Sequence, residues 1–333
     1  GIFFKTMLME LPDSLRLRSI YAQFLFEEGN LEGSKEQYRT LLVESPSDGD
    51  ILFPLALISL ELQDNDAARR YLEDMVRWNL RVDEAHFYLG SIAENEGDLE
   101  QALAEYRQAG RGYQFLPAQS RIAVILAKQG LITEMREHLD LKRREYPNFY
   151  EQLVFLEAQI LSDRNYEEEV FQLLDGAVSA NPDSLDLLYF RATKGQRFGK
   201  LDILERDLRS IITKDPVNAD ALNALGYTLA DLTDRHEEAL ALIQRALRIK
   251  PNEPAFIDSL GWVLYRLKRF EEALIYLRKA LSLFPNDEVA AHLGEVLWVT
   301  GERKEASRVW EEALELAPDS EILKRVIEQF ISP

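Results

Sequence analysis

The chain has 333 residues, 39 basic against 58 acidic side chains, and a formal charge of −19. Hydrophobic residues make up 46%, enough to build a core, so the acidity does not signal disorder. It does argue against nucleic acid or an anionic membrane surface as partners, while the lack of cysteine excludes disulfides, thiolate metal sites and a cysteine nucleophile. Length alone predicts two domains of roughly 150 residues. The longest apolar run, Ile51 to Leu60, is ten residues broken by Pro54 and too short to span a bilayer. A start at Gly1 without a charged-then-apolar leader is expected of a processed form.

Small residues recur at Ala22, Ala56, Gly90, Ala123, Ala158, Ala192, Gly226, Gly261 and Gly294, at intervals of 34, 34, 33, 35, 34, 34, 35 and 33 residues. A drift that returns to zero over eight steps marks an internal repeat. In chain order, residues 1–11 have the phase of the second helix of an earlier unit. Pro12 lies 34 residues before Pro46, which puts Phe4 and Met7 at packing positions. Nine units then cover 15–320, and their resemblance to the tetratricopeptide repeat implies a helix A, a turn and a helix B in each. The small residue at position 8 lets helix A approach helix B closely. Ser34, Ala68, Ala102, Ala273 and Ala306 do the same from position 20. Position 24 fills the gap between helices with Tyr38, Leu72, Tyr106, Leu139, Leu174, Leu208, Leu277 or Trp310.

Proline closes most units at position 32, as Pro46, Pro147, Pro182, Pro216, Pro251, Pro285 and Pro318, since it cannot donate the next helical hydrogen bond. Three departures break the regularity. Units 2 and 3 carry Leu80 and Gln114 in place of that proline, and one extra residue lengthens the turn before Ala239. Pro54 falls early in helix A of unit 2, where only about the first turn tolerates it. Glu321 to Ile331 predicts a final helix with Ile322, Leu323, Val326, Ile327 and Phe330 on one side, and strand signals are absent.

This pattern resembles the tetratricopeptide repeat, a 34-residue helix–turn–helix unit. The resemblance implies an all-α superhelical solenoid of about nine repeats forming a single array over 1–333. Residues 1–14 belong to a preceding, truncated repeat, 15–320 hold the nine repeats, and 321–333 form a C-terminal capping helix, as solenoids require.

No catalytic motif stands out. Gly195 to Leu201 has three residues between its glycines instead of four, and Leu201 stands where a phosphate loop needs Ser or Thr, so it reads as an A–B turn. Gly110-Arg111-Gly112 lacks the third glycine and the preceding strand of a dinucleotide site. His236-Glu237-Glu238 misses the second histidine of a zincin. Glu288, His292 and Glu295 share one helix face and could hold a metal weakly, but a solvated polar face is the expectation. No cofactor is expected and no enzyme is read. Glu167–Glu169, Glu237-Glu238 and Glu271-Glu272 each begin a helix B, where negative charge complements the helix dipole.

The family resemblance assigns positions 2, 5, 9, 12 and 13 of helix A to the inner, concave surface. Here they include Phe53, Leu57, Leu60, Phe87, Phe155, Tyr189, Tyr227, Trp262, Tyr265 and Trp298. Lys128, Arg197 and Arg266 are the cations among them, opposed by Glu61, Glu94, Asp163, Asp231 and Glu295. Aromatics on such a groove have the composition of binding hot spots, although packing between neighbouring helices A accounts for them equally well. Positions 5 and 9 of the first four units read Ser19/Gln23, Phe53/Leu57, Phe87/Ser91 and Ser120/Val124. No Lys–Asn clamp for a C-terminal carboxylate is among them. An apolar helix or extended segment is the expected ligand.

The run from Ala221 to Trp298, with NALGYTLAD, IDSLGWVLYR and EVAAHLGEVLW, resembles a narrower group, the tetratricopeptide lipoproteins of the Gram-negative envelope. It is most similar to the outer-membrane type that partners a periplasmic carboxyl-terminal processing protease. That resemblance implies a non-enzymatic adaptor on the periplasmic side of the outer membrane. Such an adaptor binds the protease and its peptidoglycan-hydrolase substrates and promotes their degradation. The lipid-bearing cysteine of such proteins is not among these residues, in keeping with an array that begins mid-repeat, and membrane insertion by this segment is not expected. A scaffold for envelope assembly or polysaccharide export, and the regulatory arm of a larger enzyme, stay open as alternatives.

Overall fold

The computed structural model describes residues 2–110 and 112–331. Gly1, Ser332 and Pro333, at the outer ends of the predicted first and last helices, lie outside the described residues, as does Arg111 of Gly110-Arg111-Gly112. Among the described residues the regular elements are helices, with no strand.

The chain divides into two compact units, Gly1–Tyr166 and Glu167–Pro333. The first contains α1 (Ile2–Glu10), α2 (Leu15–Glu27), α3 (Leu31–Glu44), α4 (Gly49–Glu61), α5 (Asn65–Arg77), α6 (Val82–Glu96), α7 (Leu99–Gln108), α8 (Phe115–Lys128), α9 (Ile132–Glu145) and α10 (Tyr150–Asp163). The second contains α11 (Glu167–Ala180), α12 (Leu185–Arg197), α13 (Leu201–Lys214), α14 (Ala219–Leu232), α15 (His236–Ile249), α16 (Pro254–Arg266), α17 (Phe270–Leu283), α18 (Asp287–Thr300), α19 (Arg303–Leu316) and α20 (Glu321–Ile331). Within each unit, helices A and B of a repeat pack as a pair and each B packs on the next A, so the fold is a helical solenoid of helix–turn–helix repeats.

The 34-residue pattern is physically realised in the helix pairs. A Cβ on Gly261 would sit 2.6 Å from Leu277 Cγ, and one on Gly226 would sit 2.7 Å from Ile243. Gly294 is pressed even more closely against the Trp310 indole. Position 8 is therefore small because position 24 or 25 of the facing helix lies directly on it. Ser34 at position 20 is fully buried and donates its hydroxyl to the Ala22 carbonyl at 2.7 Å.

Proline ends helix B through its neighbour as well as its own missing donor. Ser45, Tyr146, Asp215, Lys250, Phe284 and Ala317, each preceding a proline, have φ between −145° and −124° and ψ between 71° and 88°, outside the helical region. Unit 2, with Leu80 there, turns instead through left-handed Asn79 and Arg81. Unit 3 has a shortened α7 of ten residues and a short 3-10 turn at Gly112–Gln114.

One expectation is corrected. Pro54 is not confined to the first turn, because Asp48 caps α4 by accepting from the Asp50 amide, and the helix therefore starts at Gly49, placing Pro54 well inside it.

The acidic helix starts are seen as expected, with Glu167–Glu169, Glu237-Glu238 and Glu271-Glu272 in the first turns of α11, α15 and α17. The core of the second unit runs continuously through the helix pairs, from Leu188 and Leu208 to Trp310 and Leu323. Helix α20 packs on α18 and α19, burying Leu323 and Val326 and stacking Phe330 on Trp310 at 6.2 Å. At the other end, Phe4 of α1 stacks on Tyr21 and Phe24 of α2.

Candidate partner-binding site

In the first unit the aromatics expected on the inner face are tied down by neighbours. Phe53 packs on Tyr88, with the Arg81 guanidinium 3.9 Å above its ring. Phe87 meets Tyr88 edge-on and lies 5.6 Å from Tyr106. Leu57, Leu60 and Phe155 are half-buried, and Lys128, Glu61 and Asp163 are exposed. Glu94 is held by the Arg121 guanidinium and the Tyr106 hydroxyl. Burial raises its carboxyl, but those two donors outweigh it and hold it below the usual range. Burial, with Glu94 beside it, pushes the Tyr106 phenol up to about 12.

In the second unit Tyr227 of α14, Trp262 and Tyr265 of α16, and Trp298 of α18 lie on successive helices A. The structure joins Tyr227 and Trp262 through a residue expected to sit in solvent, and Tyr265 packs on Trp262 in turn. His292 of α18 is only 5% exposed; its ring stacks on Trp262 with centroids 4.3 Å apart. Its Nδ1 lies 3.0 Å from Asp258 Oδ2, and its Nε2 lies 3.4 Å from the Tyr227 hydroxyl. The solvated polar face expected for Glu288, His292 and Glu295 is thus corrected for His292. One repeat earlier in the chain stand Asp258 and Trp262, and they cover it. Burial alone would lower the His292 pKa, but the Asp258 carboxylate and its hydrogen bond, with Glu288 and Glu295 nearby, hold it above the ordinary value. His138 shows the opposite balance: bonded to the neutral Gln119 at 2.7 Å, it is lowered by burial to about 4.

The hydroxyl and indole groups of the aromatic side chains here are matched. The Tyr227 hydroxyl donates to Glu288 Oε1 at 3.2 Å, and Trp262 Nε1 donates to Asp231 Oδ1 at 3.2 Å. Tyr265 donates to Glu295 Oε1 at 3.0 Å, and Arg266 donates to the Asp231 carbonyl at 2.7 Å. Burial raises the Glu295 carboxyl despite the Tyr265 bond. Trp298 stacks on Trp310 at 5.8 Å, with Arg303 over its ring. Tyr189 and Arg197 of α12 are exposed, the guanidinium of Arg197 resting 5.8 Å from the Phe198 ring.

Two open clefts flank the stack. One, about 310 Å³, is bounded by Trp262, Tyr265, Arg266, Lys268, Glu295 and Val299. The other, about 200 Å³, has Tyr189, Asn223, Tyr227, Asp258 and Glu288 in its wall. Sequence reasoning missed Asp258 and Asn223. Both stand at position 5 of their repeats, and His292, 34 residues after Asp258, stands at position 6 of the next. Adjoining positions one repeat apart were the available signal. The arrangement offers aromatic walls and fixed carboxylates to a chain segment. Among the described residues, no group of three His, Asp or Glu side chains could hold a metal ion, and no helix is long and apolar enough to cross a membrane.

Models of the tetratricopeptide repeat match residues 53–117, 198–254 and 255–287. A TPR repeat-containing protein of Pseudomonas aeruginosa is 43% identical over 214 residues, which is 64% of this chain and 36% of that one. The chain thus spans about a third of the length of that relative. Among crystal structures, a tetratricopeptide repeat protein from Parabacteroides merdae aligns over 75% of this chain and 99% of its own, at 13% identity and a TM-score of 0.55. Yeast Tom70 aligns over 99% of this chain and 90% of its own, at 15% identity and a TM-score of 0.53. Those two likenesses bear on the fold alone.

Proposed function

We propose for this tetratricopeptide-repeat protein a non-catalytic adaptor role, in which the helix-A face of the second unit grips a segment of a protein partner. Tetratricopeptide repeats are protein-interaction scaffolds, and what carries the placement is the Tyr227–Trp262–Tyr265–His292 stack with an open cleft on each side. Rigid aromatics fixed by hydrogen bonds to carboxylates offer contact area at little entropic cost. The partner we propose is the periplasmic carboxyl-terminal processing protease, with peptidoglycan hydrolases as the substrates delivered to it. This finer reading rests on the resemblance carried by Ala221 to Trp298, and the periplasmic side of the outer membrane follows from the same resemblance.

The test is reconstitution. The chain should bind the purified protease saturably and raise its turnover of a hydrolase substrate. Tyr265→Ala, which removes one wall of the larger cleft together with the 5.1 Å contact to Trp262, should weaken binding about tenfold or more, as truncating a hot-spot aromatic does. Unchanged turnover on adding the chain would sink the adaptor role. Unchanged affinity in the variant would move the contact elsewhere.

A further inference from the structure

The smaller cleft has its own chemistry. We infer that the cleft walled by Tyr189, Asn223, Tyr227, Asp258 and Glu288 takes the ammonium or guanidinium end of a lysine or arginine side chain projecting from the bound protein segment. This rests on the adaptor reading and adds to it the kind of residue the partner must present.

Size narrows the occupant first. At about 200 Å³ the cleft falls below the roughly 300–1,000 Å³ typical of small-molecule sites, which suits one long side chain rather than a whole ligand. Charge narrows it next. The lining includes two carboxylates and no lysine or arginine. Asp258 faces His292 on the buried side, whereas Glu288 is exposed at the rim. A carboxylate offers about four lone-pair sites, and the Tyr227 hydroxyl donates to one oxygen of Glu288. An anionic side chain would meet repulsion there.

Hydrogen-bonding capacity then separates a cation from an apolar side chain. Asn223 lines the cleft, and its buried Oδ1 is an acceptor with no partner. A methyl or methylene group would leave it unpaired, while an N–H donor would satisfy it. Tyr189 and Tyr227 add ring faces, which attract a cation at short range. The Tyr227 phenol, raised by its burial and by the surrounding carboxylates, keeps its proton and so stays a donor to Glu288 without adding charge.

Blocked pentapeptides Ala-Ala-X-Ala-Ala, with X as lysine, arginine, norleucine or glutamate, test this on the whole chain. Binding is read from the shifts of the Asn223 side-chain amide and the Trp262 indole in two-dimensional NMR. The lysine and arginine peptides should move the Asn223 amide saturably, at least tenfold more tightly than norleucine, and glutamate should not bind. Glu288→Gln should cut the lysine-over-norleucine preference about tenfold while leaving the norleucine affinity in place. Equal affinities for lysine and norleucine in the unaltered chain would overturn the assignment, as would a preference indifferent to Glu288→Gln. A chain that stimulates the protease yet treats lysine and norleucine alike keeps the adaptor role and loses only the cleft assignment. A chain that ignores the protease but shows the lysine preference loses only the partner.

Discussion

At Gly261 and Gly294 the helices of a repeat come close enough that one methyl group decides the packing. Gly261→Ala places a Cβ 2.6 Å from Leu277 Cγ, and relief requires moving a fully buried side chain. Overpacking of this kind costs about 1–3 kcal/mol, so the urea midpoint of the second unit should fall, with circular dichroism showing the helices retained. Gly176 is the control. It lies inside α11 with nothing within 4 Å of its would-be Cβ, and Gly176→Ala should raise stability by about 0.5–1 kcal/mol. Gly261 and Gly294 were legible as packing residues because they recur with the period. The Asp258–His292 pair was not, since its members sit in different repeats and neither has a signal within its own helix. That pair carries a pH dependence with a definite sign. The His292 pKa is higher folded than unfolded, so its stabilisation is complete below about pH 6.5, the unfolded value, and is lost as pH rises through the folded one. Glu295, raised by burial, pushes the same way. The gap in urea midpoint between the unaltered chain and His292→Gln should therefore be widest near pH 6 and narrow toward alkaline pH, and Asp258→Asn should lower the His292 titration seen by NMR. Parallel pH profiles for the chain and His292→Gln would remove the pair from this role.

The turn between helices A and B is the element that the sequence disclosed only in part. Glycine recurs about seven residues after the position-8 residue, as Gly29, Gly97, Gly130, Gly199 and Gly301, all with positive φ. Gln63, Asn165 and Lys268 hold the same place with φ of 58°, 59° and 61°. Asparagine favours the left-handed region, but glutamine and lysine carry no such signal, so Gln63 and Lys268 could be found only by counting from the repeat frame. Repeat 7 does without such a residue because its extra residue lets Thr233 leave α14 in extended conformation. The prediction belongs to the element as a whole. An L-residue in this region costs about 1–2 kcal/mol relative to its right-handed form, so Gln63→Gly should stabilise the α4–α5 pair by about 1 kcal/mol, and Gly199→Ala should destabilise α12–α13 by a similar amount. Hydrogen exchange of the amides flanking each turn reads both. Were Gln63→Gly to speed exchange in α4 and α5, glutamine's side chain would have to supply contacts that outweigh the backbone cost. Pro54 is a second element-level surprise, because a proline's tolerance depends on where the helix starts, and that is set by the Asp48 cap at the position where Ser14, Ser184, Asn218 and Asn286 cap their own helices A.

At the scale of the molecule, the fold was legible because a solenoid repeats one local solution, and a 34-residue period leaves little else to infer. The site was legible as a set of helix positions but not as contacts, because its bonds cross from one repeat to the next, such as Trp262 to Asp231 and Tyr265 to Glu295. The net charge of −19 then takes on a second meaning. Many carboxylates are held by neighbouring cations, as Glu205 is by Arg209 and Arg235, and Asp207 is by Arg191. The surplus acid still surrounds the molecule with a negative potential that draws in a cationic partner and repels an anionic one. If the smaller cleft receives a lysine or arginine, long-range attraction should speed encounter, while the short contacts at Glu288 and Asn223 should set the lifetime of the complex. Raising sodium chloride from about 50 to 500 mM shrinks the screening length from roughly 14 Å to 4 Å. The association rate of a lysine-bearing partner should then fall by tenfold or more, with dissociation changing far less. Stopped-flow or surface-based kinetics over that salt range measures both rates. A dissociation rate that carried most of the salt dependence would mean that the attraction is confined to the contact itself and that the acidic surface plays no part in bringing the partner in.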